Sequence, residues 1–176
     1  MGIFNPPHKG HISVANYLVD HNIVDKVIIV PTGNYWDKQN VIETKHRINM
    51  LKFFEKDNII IDTKNTDYKY TYELMRKLKK DYPEDTLYMI IGADNIVNFD
   101  KWEHYQELLN YPIIIMNRDG IDISKYTKNY QGDFIIVNDS PRIDVSSTIS
   151  RKDINSKYLD KKVIDYIKKN HLYEKE

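Results

Sequence analysis

Leu87-Tyr88-Met89-Ile90-Ile91-Gly92-Ala93-Asp94 is the stretch that decides the fold. An apolar run without alternation, closed by a glycine, reads as a strand buried on both faces. Four more short runs share that character: Lys26 to Val30 ahead of Pro31, Asn58 to Asp62, Ile113 to Met116, and Phe134 to Val137. Helical spacing fills the intervals. Ile12, Ala15, Leu18 and Val19 predict a helix over roughly residues 11–22, and Ile48, Leu51 and Phe54 one over Glu43–Phe54. Thr71 is a good N-cap for a helix through Leu74, Met75 and Leu78 to about Tyr82, before Pro83. Short helices are expected at Asn95–Phe99 and Glu103–Leu109, another from Ser146, and a last one over Leu159–Lys169, with a loop around Asp119-Gly120. Strands and helices in alternation predict an α/β fold, a doubly wound parallel sheet, read as one domain over residues 1–176. In such sheets ligands bind at the carboxyl ends of the strands.

Composition narrows the function. The 176 residues are 41% hydrophobic and 12% aromatic, enough for a packed core. Twenty-six Lys and Arg balance 26 Asp and Glu, for a formal net charge of 0, which argues against a nucleic-acid binder working through a broad basic face. No cysteine is present, so disulfides, thiolate metal sites and a cysteine nucleophile are excluded. No apolar run approaches the ~18 residues of a membrane span. No signal-peptide pattern opens the chain. The expectation is a cytoplasmic protein with no membrane partner; a homo-oligomer stays open.

The chemistry is expected at the start of the chain. Gly2-Ile3-Phe4-Asn5-Pro6-Pro7-His8-Lys9-Gly10-His11 is a proline-stiffened loop running into the first helix. A helix N-terminus offers unpaired N–H groups and the positive end of the dipole to a phosphate. Gly10 allows close approach of the backbone, and His8 and His11 add donors for charge developing on a phosphoryl group. Near the other end, Val145-Ser146-Ser147-Thr148-Ile149-Ser150-Arg151 supplies hydroxyls at a helix start and a guanidinium one turn in, able to clamp phosphate oxygens. Alone, that second stretch also reads as a well-capped helix.

Together these two stretches resemble the H-x-G-H and S-S-T-x-x-R signatures of a nucleotidyltransferase superfamily. Ile91-Gly92-Ala93-Asp94 with Lys101-Trp102 and Glu107-Leu108-Leu109 is similar to the I-G-A-D, K-W and E-L-L segments of bacterial nicotinate-nucleotide adenylyltransferases. Tyr70-Thr71 resembles that family's S-Y-T element, with Lys69 at the serine, and His46-Arg47 with Met50-Leu51 resembles its H-R-x-x-M-L helix.

The resemblance implies a Rossmann-like domain that transfers the adenylyl group of ATP to nicotinate mononucleotide, giving the deamido-NAD dinucleotide and pyrophosphate. Mg²⁺ would be bound through the ATP phosphates. It implies in-line attack by the mononucleotide phosphate on the ATP α-phosphate, so that catalysis is positioning and charge stabilisation. His8 and His11 would stabilise the α-phosphate, and Arg151 with Ser146, Ser147 and Thr148 would hold the β- and γ-phosphates. Phe4, Gly10 and Asp94 complete the implied ATP contacts, Asp94 accepting from the ribose. Lys38, Thr71 and Trp102 are the implied mononucleotide contacts, with Trp102 stacking on the nicotinate ring. Read without the family, Asp94 caps a helix and Trp102 packs in the core.

Two departures stand out. Tyr35-Trp36-Asp37-Lys38 replaces the family's P-P-H-K, keeping the lysine only. The family also has an apolar strand and a G-G turn ahead of H-x-G-H, and the given chain begins inside that turn. The usual first strand is therefore expected to be lacking here, and the native chain to start earlier. Alternative acceptors are nicotinamide mononucleotide, phosphopantetheine, or an alcohol phosphate with CTP; a nucleotide-binding module without catalysis is the alternative of another class.

Overall fold

The computed structural model describes the chain except residues 34–40, 119, 141–146, 155–156 and 175–176, and gives the backbone alone for 147–149. In chain order the elements are α1 (Lys9–Asp20), β1 (Val27–Ile29), α2 (Thr44–Leu51), β2 (Ile59–Ile61), α3 (Thr71–Asp81), β3 (Met89–Gly92), α4 (Ala93–Val97), α5 (Tyr105–Leu108), β4 (Ile113–Met116), α6 (Ser124–Thr127), β5 (Phe134–Val137), α7 (Ser147–Lys152) and α8 (Lys161–Lys169). Turns of 3₁₀-helix follow α2 and α4, at Lys52–Phe54 and Phe99–Lys101. Every strand pair is parallel, as uniformly apolar strands require.

The chain divides into two compact units, residues 1–69 with 143–176, and residues 70–142. In the first, β1 and β2 pair in register Val27↔Ile59 and Ile29↔Ile61. Gly2 alone makes the pairing that the resemblance assigns to a first strand. It forms a single parallel bridge with Pro31, its N–H donating to the Val30 carbonyl at 3.1 Å and its carbonyl accepting from Thr32 N at 2.8 Å. Helix α8 starts at Asp160, whose carboxylate accepts from Lys162 N at 2.8 Å. Its apolar stripe, Val163 and Ile167, packs with Met50 and Leu159, and Leu172 and Tyr173 close over that cluster. Each such side chain contributes about 1.5–3 kcal/mol by leaving water.

In the second unit β4 lies between β3 and β5, with Met89↔Ile113 and Ile113↔Phe134 in register. All four β4 residues are buried, whereas β5 is an edge strand exposing Ile135 and Ile136. Two local expectations differ. Thr71 is the first helical residue, and Tyr70 is the cap, because Glu73 Oε1 accepts the Tyr70 N–H at 3.3 Å. Where a loop is expected after Gly120, α6 forms. Asn117 clamps Ile121 with two hydrogen bonds, of 2.7 and 3.1 Å, and Ile123 is buried. That burial rewards a helical turn too short to show periodicity.

Candidate active site

Loop 2–8 reaches α1 through a left-handed Phe4 (φ 53°) and a cis Asn5–Pro6 peptide. His8 is the N-cap of α1, and two reciprocal hydrogen bonds close the helix start. Gly10 N–H donates to His8 Nδ1 at 3.1 Å, and His8 N–H donates to His11 Nδ1 at 3.1 Å. A ring nitrogen that accepts from a backbone N–H carries no proton, so both neutral imidazoles hold theirs on Nε2. The rings are stacked, centroids 3.6 Å apart and 20° from parallel, with Phe4 edge-on to His11 at 4.8 Å. The result is two Nε2–H donors of fixed tautomer side by side at a helix N-terminus, the arrangement that suits an oxyanion.

The loop is braced from three places. Arg47, 1% exposed, donates from Nη1 to Ile3 O at 2.8 Å and Thr32 O at 2.5 Å, from Nε to Ile42 O at 3.1 Å, and from Nη2 to Thr44 Oγ1 at 2.8 Å. Burial pushes its pKa down while Tyr173 pulls it up. Arg151 Nη1 donates to the Asn5 carbonyl at 2.6 Å, and Tyr158 O accepts from Lys9 N at 2.8 Å. Tyr173 Oη donates to Asn5 Oδ1 at 2.6 Å. His8, Gly10, His11 and Arg151 thus belong to one hydrogen-bonded assembly, which Phe4 joins through its ring contact with His11. Arg151 spends one donor on the loop itself, and Gly10 spends its N–H on His8. Ser147 and Thr148 lie in the first turn of α7, while Ser146 and Lys38 fall outside the described residues.

In the unit of residues 70–142, Asp94 is exposed in the first turn of α4, directly after the carboxyl end of β3. Its carboxylate makes no hydrogen bond or ion pair among the described residues. A Cβ on Gly92 would stand 2.6 Å from Asp94 Oδ1, so the carboxylate folds back over the glycine. Trp102 follows the 3₁₀ turn, half-buried, its ring 5.4 Å from Phe99. Thr71 heads α3. Among the described residues no three His, Asp or Glu side chains come together to hold a metal.

The cytidylyltransferase-like family model matches residues 1–153. A nicotinate-nucleotide adenylyltransferase from Bacillus subtilis is 32% identical over 98% of this chain and 95% of its own length. A probable one from Carboxydothermus hydrogenoformans is 33% identical over 98% and 94%. The chain belongs to the nicotinate-nucleotide adenylyltransferase family. Among solved structures, the nicotinic acid mononucleotide adenylyltransferase of Plasmodium falciparum, complexed with NaAD, matches with a TM-score of 0.81 at 26% identity, covering 98% of this chain and 94% of that one. Membership fixes the Rossmann-like nucleotidyltransferase fold.

Within this chain, sequence reasoning found the histidines and missed what holds them. Arg47 was visible as part of H-R-x-x-M-L, but nothing in that pattern says its guanidinium is buried under Ile3 and Thr32. Asn5 lay inside the quoted loop with no role, and Tyr173 carried no signal at all.

Proposed function

We propose that this adenylyltransferase performs its transfer at the H-x-G-H loop, with ATP as adenylyl donor and nicotinate mononucleotide as acceptor. The products are the deamido-NAD dinucleotide and pyrophosphate, and the reaction belongs to NAD biosynthesis. The paired Nε2–H donors of His8 and His11 carry the reading. They meet the α-phosphate oxygens as charge grows during in-line attack by the mononucleotide phosphate. No enzyme nucleophile is required, so the chain contributes position and charge. Arg151, Ser146, Ser147 and Thr148 serve the β- and γ-phosphates, and Phe4 and Gly10 shape the loop around the nucleotide. Asp94, its oxygens uncommitted among the described residues, accepts from the ribose hydroxyls. Trp102, Thr71 and Lys38 serve the mononucleotide, Trp102 through its ring.

Mg²⁺ enters on the ATP phosphates. It favours oxygen ligands and keeps several waters, so it requires no protein cage. When bound it offsets phosphate charge. Residues 1–176 act as one catalytic domain. The cytoplasm is the compartment assigned, where ATP is available; no helix among the described residues is long and apolar enough to cross a membrane.

The test is pyrophosphate release, with ATP and Mg²⁺, from nicotinate and nicotinamide mononucleotide in parallel. Release is expected to require the mononucleotide and to favour nicotinate. His11→Ala should lower kcat by about 10²–10³, the loss of one preorganised oxyanion donor. Absence of turnover with either mononucleotide would overturn the proposal.

A further inference from the structure

The Asn5 side chain lies between the loop and the far end of the chain. It is 3% exposed. Its Oδ1 accepts from Tyr173 Oη at 2.6 Å and from Ile42 N–H at 3.3 Å, which occupies both lone pairs and fixes which way the amide faces. Its main-chain carbonyl accepts from Arg151. Residue 5 is therefore held at side chain and backbone, three positions before the histidine that caps α1.

Tyr173 is itself rigidly placed. It follows α8 in a left-handed conformation (φ 60°), after Leu172 N–H closes back on Ile167 O at 3.0 Å. Its ring packs with Leu172 on the Met50, Leu159, Val163 and Ile167 cluster. Burial raises the phenol's pKa well above its ordinary value, against the opposing pull of Arg151 and Arg47, so the hydroxyl remains a donor at neutral pH. The ring does the packing, and the hydroxyl contacts the loop.

We propose that Tyr173 is a positioning residue for adenylyl transfer, setting the H-x-G-H loop through its hydrogen bond to Asn5. This rests on the function proposed above. An error of about 1 Å in a positioning element can cost about 10²-fold in rate, and His8 and His11 are placed by this loop. Tyr173 acts through Asn5. It links the packed C-terminal helix to the one loop whose geometry must not drift.

Tyr173→Phe separates the two parts of the side chain, since it deletes one oxygen and keeps the ring. In the full chain, with ATP, Mg²⁺ and nicotinate mononucleotide, kcat should fall about tenfold with little change in either KM, as expected when a buried acceptor loses its donor. The melting temperature should fall by only about 2–4 °C, because packing is preserved and Asn5 Oδ1 keeps the Ile42 N–H. Asn5→Ala should show a loss of the same kind. The double variant should be no slower than Asn5→Ala alone, because coupled residues are not additive. An unchanged kcat in Tyr173→Phe, or losses that multiply in the double variant, would overturn the inference. So would a kcat loss that follows a large fall in melting temperature, which would make the hydroxyl a folding contact. A wild-type chain without turnover would instead strike at the function proposed above, so the two failures are distinguishable.

Discussion

The H-x-G-H loop and the turn after β3 treat their polar groups in opposite ways. In the loop, the carbonyls of Ile3 and Asn5, the Asn5 amide oxygen, the N–H groups of His8, Lys9 and Gly10, and both imidazole Nδ1 atoms are all engaged within the chain. In the turn, Asp94 is exposed and its carboxylate uncommitted among the described residues. The difference matches the two tasks proposed for these groups. Stabilising charge in a transition state requires donors that do not reorganise during the reaction. Recognising a substrate requires hydrogen-bonding capacity not already spent within the protein.

The comparison breaks most severely at Arg47. Arg47→Met removes a buried guanidinium and strands the carbonyls of Ile3, Thr32 and Ile42. Each buried carbonyl left without its donor costs about 1–3 kcal/mol. Against a whole-domain stability of about 5–15 kcal/mol, that should lower the melting temperature by about 10 °C or more. Calorimetry with and without saturating ATP checks it. Arg47→Lys should recover only part of the loss, because an ammonium cannot span four acceptors with a planar fork. A melting temperature unchanged in Arg47→Met would show that the loop does not depend on this brace.

Asp94 should behave in the opposite sense. Asp94→Ala is expected to leave the melting temperature nearly unmoved and to raise the KM for ATP about tenfold at near-constant kcat. That pattern marks lost uniform binding. Steady-state kinetics at saturating mononucleotide reads it. A fall in stability with KM intact would return Asp94 to the simpler role of a carboxylate at a helix N-terminus, worth about 0.3–1 kcal/mol.

What the sequence made legible divides along the same line. The strands Ile113–Met116 and Phe134–Val137 were visible residue for residue, because each is a bare apolar run, fully buried in β4 and kept in β5 although Ile135 and Ile136 are exposed at the edge. The histidines were visible because H-x-G-H before a helical stripe is rare and has a chemical reason. The N-terminal cap of α3 and the existence of α6 were not, since Glu73 and Asn117 act through side-chain-to-backbone bonds that leave no periodicity. The bracing of the loop was hidden for another reason. Asn5 meets Tyr173 across 168 positions of sequence, and only packing of α8 on Met50 brings them together.

Gly92 gives the smallest and most discriminating effect. Its φ of −83° is open to any residue, so conformational freedom does not explain the glycine. Space does: an added methyl would stand 2.6 Å from Asp94 Oδ1. Because the obstructed atom ends a flexible exposed side chain, Gly92→Ala should cost little stability, yet it must turn the carboxylate away. A rise in the KM for ATP of about threefold, roughly 0.6 kcal/mol, is expected. Gly120→Ala is the control. There φ is 65° and none of the described residues lies within 4 Å of an added Cβ, so the cost falls on the backbone alone. It should lower stability by about 1 kcal/mol and leave the KM unmoved. If Gly92→Ala instead lowers stability and spares the KM, the carboxylate's position over the glycine is structural, and the contrast between a braced loop and an uncommitted turn loses its second half.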